Sequence, residues 1–228
     1  MQKIVILTGA GMSAESGIKT FRDADGLWEG YDIMEVASPQ GFAKNPELVL
    51  DFYNQRRRQL LNVQPNAAHI ALADLEKKYK ISIITQNVDD LHERSGSTNV
   101  LHLHGELLKS RSTLDSNLVY TCTKDLVLGD FCEKKSQLRP HIVWFGEDVP
   151  LLEKAIEITN TADILVIIGT SMQVYPAASL VNYRKDTTPI YFIDPNPSIQ
   201  ASSFQKLTIL PEKAILGVEL LKNNYLNG

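Results

Sequence analysis

Residues 3–14 read KIVILTGAGMSA, and the architecture hangs on the change of character after Thr8. From Lys3 to Thr8 the run is aliphatic and β-branched with no charge after its first residue, the composition of a strand buried on both faces. It passes straight into Gly9-Ala10-Gly11, with Ala14 three positions further on. This is the relaxed form of the fingerprint in which a glycine-rich strand-to-helix turn cradles a dinucleotide pyrophosphate. The same turn also occurs where two backbones pack closely, so by itself it leaves both readings open.

Working outward, strand-like runs recur at 80–85 (KISIIT), 99–104 (NVLHLH), 141–145 (HIVWF), 163–169 (DILVIIG), 189–194 (PIYFID) and 206–210 (KLTIL). Helical patterns lie between several of them, at 45–61, 67–79, 151–162 and 212–226. Short apolar strands alternating with helices predict an α/β fold, a parallel sheet covered on both faces. Two segments break the rhythm. Residues 23–60 are polar and then helical, and residues 109–138 look like an irregular hairpin with charged turns. Both are assigned to a smaller module inserted into a nucleotide-binding domain of residues 1–22, 61–108 and 139–228.

Composition narrows the function. The chain has 228 residues, 43% of them hydrophobic, enough for a sizeable core, and its formal net charge of −4 favours neither nucleic acid nor an anionic membrane. No window approaches the roughly eighteen apolar residues of a membrane span. With two cysteines, Cys122 and Cys132, and no secretory pattern at the start, a reducing, cytoplasmic setting and a monomer are expected.

A dehydrogenase would follow its first loop with a second strand ending in an acidic residue about 20 positions on. Residues 18–36 offer no such strand, and this polar stretch reads instead as a loop lying over the ligand. That tilts the chemistry from hydride transfer towards breaking the cofactor apart. After the strand at 80–85 come Gln86, Asn87, Val88 and Asp89, at the carboxyl end where open α/β sheets bind ligands. Their plainer reading is a turn that caps a helix through DDLHERS. In NVLHLHGEL, Leu101 and Leu103 alternate with His102 and His104, so the two histidines share a face as a metal pair, a structural pair, or a base with a neighbour.

GAGMSAESGIKTFR, TQNVDDLHERSG, HLHGEL, PHIVWFGE and GTSMQVYPAA, in this order, resemble the sirtuins, NAD-dependent protein lysine deacylases, and most of all the short bacterial members of the desuccinylase and deacetylase branch. The resemblance runs over essentially the whole chain. It implies a Rossmann-type domain with an inserted module, and a cleft holding NAD and an acyl-lysine protein substrate. Nicotinamide and O-acyl-ADP-ribose would be the products. On this resemblance Gly9, Ala10 and Gly11 lie at the NAD phosphates, with Ala14, Glu15, Phe21, Arg22 and Trp28 in the covering loop. Gln86, Asn87, Val88 and Asp89 position the nicotinamide ribose and carboxamide, Asn87 and Asp89 assisting catalysis, and His104 is the catalytic base. His102 is structural. Gly169, Thr170 and Ser171 contact the adenosine half, with Asp194, Pro195, Asn196 and Ala214. Val143 to Glu147, Phe145 and Gly146 among them, and Val174 to Ala177 line the peptide groove.

One departure and one closer match follow. Sirtuins usually hold a structural zinc on four cysteines, whereas residues 109–138 contain only Cys122 and Cys132, and zinc is expected to be absent. In FYNQRRRQ, Tyr53 and Arg56 are three apart on a helix and share a face, matching the Tyr-x-x-Arg with which the desuccinylase branch meets an acidic acyl group. Ala24 leaves room for the longer chain, and Arg57 and Arg58 are read as a solvated basic patch. A mono-ADP-ribosyltransferase on the same scaffold is the alternative. A non-catalytic NAD sensor would retain the glycines and lose His104 or Asn87, and both are present.

Overall fold

The computed structural model describes residues 1–19, 27–28 and 30–226, with the backbone alone at 27–28. Its first half comprises β1 (Lys3–Thr8), α1 (Gly11–Ala14), β2 (Leu27–Trp28), β3 (Tyr31–Asp32), α2 (Ile33–Val36), α3 (Pro39–Lys44), α4 (Pro46–Asn62), α5 (Ala67–Leu75), β4 (Lys80–Thr85), α6 (Leu91–Arg94) and β5 (Val100–His102). There follow β6 (Gly105–Ser112), β7 (Val119–Thr121), β8 (Leu138–Ile142), α7 (Leu152–Asn160), β9 (Ile164–Ile168), β10 (Ile190–Ile193), β11 (Leu207–Leu210) and α8 (Ala214–Tyr225).

Among the described residues six strands make one parallel sheet in the order β11-β10-β9-β1-β4-β5. Counted along the chain this is 3-2-1-4-5-6 read from β5, the doubly wound Rossmann order, in which ligands bind where the winding reverses. The reversal lies at β1, between β4 and β9. Along β1 the side chains divide by period two. Ile4 and Ile6 pack with Leu72 of α5 and Val218 of α8, while Val5 and Leu7 pack with Ala155 of α7 and with Leu180. Burial on both faces explains why the strand reads as an unbroken apolar run.

The expected strand at 141–145 is displaced. The strand is β8, Leu138–Ile142, and it pairs antiparallel with β6 in a separate sheet of order β7-β6-β8. Pro140 lacks an N–H and is tolerated because β8 is an edge strand. Val143 and Phe145 send their N–H groups to the loop carbonyls of His104 and Ala37 instead of to a ladder. This small sheet reaches beyond the irregular hairpin expected at 109–138, to Gly105 and Ile142. Within 18–36, read as strandless, a two-residue hairpin pairs β2 with β3 apart from the main sheet.

α4 carries the other half of the small module. Asn45 caps it by accepting the N–H of Leu48 at 3.1 Å, and Pro46 starts it with a preset φ. Its inner face sends Val49, Phe52, Tyr53 and Leu60 into a core with Leu107, Ile142 and Trp144. Tyr53, Arg56 and Arg57 are i, i+3 and i+4, so all three turn inward together. Arg57 is therefore no part of a solvated patch. It is 1% exposed, donates from Nε to the Leu107 carbonyl at 3.1 Å and from Nη1 to Asn54 Oδ1 at 2.6 Å, and ties α4 to β6. Arg58 is exposed and meets Asp125 at 3.0 Å.

Candidate active site

The loops after β1, β4, β5 and β9 converge at the carboxyl edge of the sheet. Gly9 N–H donates to Ile168 O at 3.0 Å and Gly11 N–H to Gly169 O at 2.8 Å, so the first loop is laced to the β9 loop. Gly169 has φ of 62°, and a Cβ there would lie 2.4 Å from Met12 N and 2.6 Å from Gly11 Cα. A Cβ on Gly9 would meet Gly169 O and Thr170 Cβ at 2.8 Å. The plain reading of these glycines, close backbone packing, is thus realised, and it shapes a smooth backbone cradle at the winding reversal, where a pyrophosphate fits.

Ser13, in α1, is 1% exposed and joins two elements: its hydroxyl donates to Asp89 Oδ2 at 2.9 Å and accepts from Asn87 Nδ2 at 3.1 Å. Asp89 also accepts the N–H of Leu91 at 3.2 Å, so the capping role holds beside the site geometry. Burial drives its carboxyl pKa up, against those two hydrogen bonds. Gln86 donates from Nε2 to Thr170 Oγ1 at 3.1 Å and closes the rim between β4 and β9, beside half-buried Ser171. Nothing in the sequence singled out Ser13, since a serine in a short turn carries no periodic signal.

The two histidines on one face of the β5 segment differ in charge. His102 lies 3.2 Å from Asn87 O through Nδ1 and 2.7 Å from Glu93 Oε1 through Nε2. Both partners are acceptors, so both nitrogens donate and the ring is an imidazolium. Burial lowers its pKa, but the Glu93 hydrogen bond and charge, with the Asn87 carbonyl, outweigh it and leave the pKa raised. His104 lies 3.2 Å from Gln86 O through Nδ1, which fixes the proton there and leaves Nε2 as the basic atom. Burial lowers its pKa against the opposing pull of that carbonyl, so it is neutral near pH 7. Deeper, beneath the β1 and β4 loops, the rings of His69 and His92 pack at a tilt of 59° with centroids 4.9 Å apart, and His92 Nε2 lies 3.1 Å from Thr8 Oγ1. Burial depresses them to about 4 and about 3.

A cavity opens beside this edge, lined by Ile18, Lys19, Tyr53, Arg56, Val88 and Asp89 among others. Tyr53 and Arg56 thus share it as expected. Arg56 lies 3.7 Å over the Phe52 ring and donates to Phe52 O at 2.8 Å. Val88 and Asp89 belong both to this wall and to the β4 loop.

Other expected positions are placed as follows. Exposed Ala14 precedes Glu15, which accepts the N–H of Ile215 at 2.9 Å and caps α8, beside buried Ala214. Half-buried Ala10 starts α1. Asp194 is 2% exposed and accepts the Asn196 N–H at 2.9 Å in a turn through exposed Pro195. Of Val143 to Glu147, Phe145 and Gly146 are exposed and Val143 half-buried, whereas Trp144 is buried and Glu147 is held by arginines. Val174 and Tyr175 are exposed, Ala177 buried. Phe21, Arg22 and Ala24 lie outside the described residues, as does the side chain of Trp28.

A tetrahedral zinc site does not fit the described residues around Cys122 and Cys132. Cys132 donates from Sγ to Ser112 Oγ at 3.3 Å, while Cys122 packs with Leu50 and Leu126. Asp115, on the turn after Ser112, pairs with Lys134 at 2.8 Å. Among the described residues no group of three or more His, Cys, Asp or Glu is placed to hold a metal ion, and tetrahedral zinc needs four ligands. No helix among the described residues is long and apolar enough to cross a membrane.

The model of the Sir2 family matches residues 9–176. The chain belongs to the Sir2 family. An NAD-dependent protein deacylase of Helicobacter pylori is 69% identical over 195 residues, 86% of this chain and 85% of that one. Another, of Bacteroides thetaiotaomicron, is 49% identical and covers 97% of each chain. Among solved structures, a Sir2 homologue in complex with NAD superposes with a TM-score of 0.87 at 43% identity, covering 96% of this chain and 88% of that one. A Sir2 protein bound to acetylated peptide gives 0.79 at 29%, covering 96% and 91%. The Sir2 fold of these structures is the doubly wound sheet with its small antiparallel companion described above.

Proposed function

We propose that this Sir2-family chain is an NAD-dependent protein lysine deacylase that removes acetyl groups and, through Tyr53 and Arg56, succinyl or malonyl groups. The observation that carries this reading is the shared wall. Val88 and Asp89 line the Tyr53–Arg56 cavity while Gln86 and Asn87, in the same loop, touch Thr170, Ser13 and the histidines. The names of the relatives speak for deacylation and do not favour the ADP-ribosyltransferase alternative.

The parallel-sheet part expected at 1–22, 61–108 and 139–228 forms one wall of the cleft; the inserted module expected at 23–60 and 109–138, together with the small-sheet residues 105–108 and 139–147 that pack on it, forms the other. Gly9, Ala10, Gly11, Gly169, Thr170 and Ser171 would hold NAD, with Gln86, Asn87 and Asp89 at its nicotinamide end. Bound NAD supplies an electrophilic sugar carbon whose leaving group is nicotinamide. His104 takes a proton at Nε2, the nitrogen left basic by the Gln86 carbonyl. Asn87, fixed by Ser13, and Asp89 orient polar groups at the loop edge. Arg56 meets a distal carboxylate with its planar guanidinium, which a lysine does not copy. Phe145, Gly146 and Val143 flank the substrate peptide. The small module holds together without zinc, closed by the Ser112–Cys132 and Asp115–Lys134 contacts.

Mass spectrometry of one peptide carrying acetyl-lysine or succinyl-lysine, incubated with and without NAD, tests this. The expected result is NAD-dependent loss of either acyl group with formation of O-acyl-ADP-ribose. ADP-ribosylated protein without deacylation would sink the reading.

A further inference from the structure

Behind the acyl cavity, the buried indole of Trp144 donates from Nε1 to Tyr53 Oη at 3.0 Å. An indole N–H has no acceptor capacity, so in this pair the phenol oxygen accepts and its own proton must be directed elsewhere. Tyr53 lines the cavity together with Arg56. We propose that Trp144 is a specificity-determining positioning residue: it fixes Tyr53 as a hydrogen-bond donor to the acyl chain and so tunes the cavity to a distal carboxylate. This rests on reading the cavity as the acyl site.

The chemistry of the two kinds of acyl group separates them. An ionised carboxylate only accepts hydrogen bonds, so a phenol whose polarity is set to donate matches it, while an acetyl group ends in a methyl that gains nothing from a donor. Burial raises the phenol pKa, foremost among its influences, so the proton stays on oxygen throughout the neutral range.

Trp144 is itself braced on several sides. Its backbone N–H donates to Glu147 Oε2 at 2.8 Å. Glu147 receives Arg139 through two bonds of 2.6 and 3.0 Å and Arg111 at 3.1 Å. The Arg139 guanidinium lies 3.3 Å over the indole, and Phe42 packs 5.3 Å away between ring centroids. Two guanidiniums on one carboxylate leave a net positive charge behind Tyr53, the sign that favours an anionic acyl chain. A side chain held this way can impose a direction on its partner.

The test compares steady-state kcat and KM on succinyl-lysine and acetyl-lysine forms of one peptide at saturating NAD, for wild type, Trp144→Phe, Tyr53→Phe and the double variant. Trp144→Phe keeps an aromatic ring under Arg139 and removes the indole N–H together with one of the two fused rings, and the double variant separates loss of the hydrogen bond from loss of volume. The succinyl-to-acetyl ratio of kcat/KM is expected to fall roughly three- to tenfold, the loss of one neutral hydrogen bond, and to do so through KM. In the Tyr53→Phe background the same change should add nothing to that ratio. An unchanged ratio in Trp144→Phe, or an equal further loss in the double variant, would overturn the proposal while leaving the acid-acyl reading intact. A wild type inert on the succinyl peptide would overturn both. Should Trp144→Phe fail to fold, the indole N–H resonance of Trp144 decides: succinyl peptide should shift it in wild type and not in Tyr53→Phe, and no shift in wild type overturns the proposal.

Discussion

The two walls of the cleft are made from different parts of the amino acid. On the sheet side the surface is backbone: Gly9, Gly11 and Gly169 lie against one another with no room for a Cβ, and the polar groups around them are short, Ser13, Asn87 and Thr170. On the module side it is long side chains held by buried charge, Tyr53 by Trp144, Trp144 by Glu147, and Glu147 by Arg139 and Arg111. A backbone surface is fixed by sterics and admits little variation. A surface of braced side chains can be retuned one residue at a time, which, on the function proposed above, would suit one wall to an invariant cofactor and the other to a choice among acyl groups.

The largest expected effect lies on the seam between the walls. His104→Ala should slow deacylation of acetyl and succinyl peptides alike by roughly a hundred- to ten-thousandfold and leave NAD binding, measured by calorimetry, nearly unchanged. A variant that loses one acyl activity and retains the other would place the base in the acyl wall instead.

The comparison is sharpest at Gly169. Its alanine variant must move the first loop and is expected to lose about 2 to 4 kcal/mol in urea denaturation, from a left-handed φ and a backbone overlap together. Tyr53→Phe, by contrast, should lose far less stability. Equal losses would erase the distinction between the walls.

Beneath the backbone wall, His69 and His92 are held neutral, at about 4 and about 3 against 6.5 in the unfolded chain. As pH falls below about 6.5 the unfolded chain takes up protons that the native one refuses, so stability is lost progressively down to those values. From pH 6.5 to pH 5 this amounts to about 1.5 kcal/mol per histidine. His102 runs the other way: its raised pKa contributes stability below about 6.5 that is lost as pH rises through the folded value. Thermal melts of His69→Gln and His92→Gln from pH 5 to 8 should show a flatter acid limb than wild type, and parallel limbs would refute the assignment.

On the module wall, Arg56→Met and Tyr53→Phe should each raise KM for succinyl or malonyl peptides, with Arg56→Met costing roughly tenfold to a hundredfold in kcat/KM, the scale of a charge-assisted hydrogen bond. Equal losses on acetyl peptides would mean the pair only supports α4. The smallest effect is expected from a chelator, which should alter neither melting temperature nor activity, since a structural zinc would otherwise contribute folding free energy directly. Stoichiometric zinc in elemental analysis would refute the metal-free module.

Strands whose partners flank them on both sides were the most legible elements. β1, β4, β9 and β10 lie within a residue or so of their apolar runs because burial on both faces leaves one reading of such a run. β8 was misplaced because HIVWF has the composition of a strand while its last residues bond to loops. Within the site, Gly9, Gly11 and Gly169 were all named from the sequence, but the packing of Gly169 on Gly11 was not, since the two meet only through a fold that joins residues 158 positions apart. Arg57 misled for the opposite reason. Three consecutive arginines look solvated, and only the helix face shared with Tyr53 turns the middle one inward.

The lacing of Gly9 and Gly11 to the β9 loop also bears on how the protein is made. β1 leaves the ribosome first, yet its sheet neighbours are β4 and β9, and the cradle closes only when Gly169 arrives. At about 5–20 residues per second, that interval is roughly 8–30 s. Throughout it the nascent chain carries an apolar strand with an unpaired edge, the kind of segment that invites wrong partners. The cradle at the winding reversal cannot close until Gly169, of 228 residues, has been made.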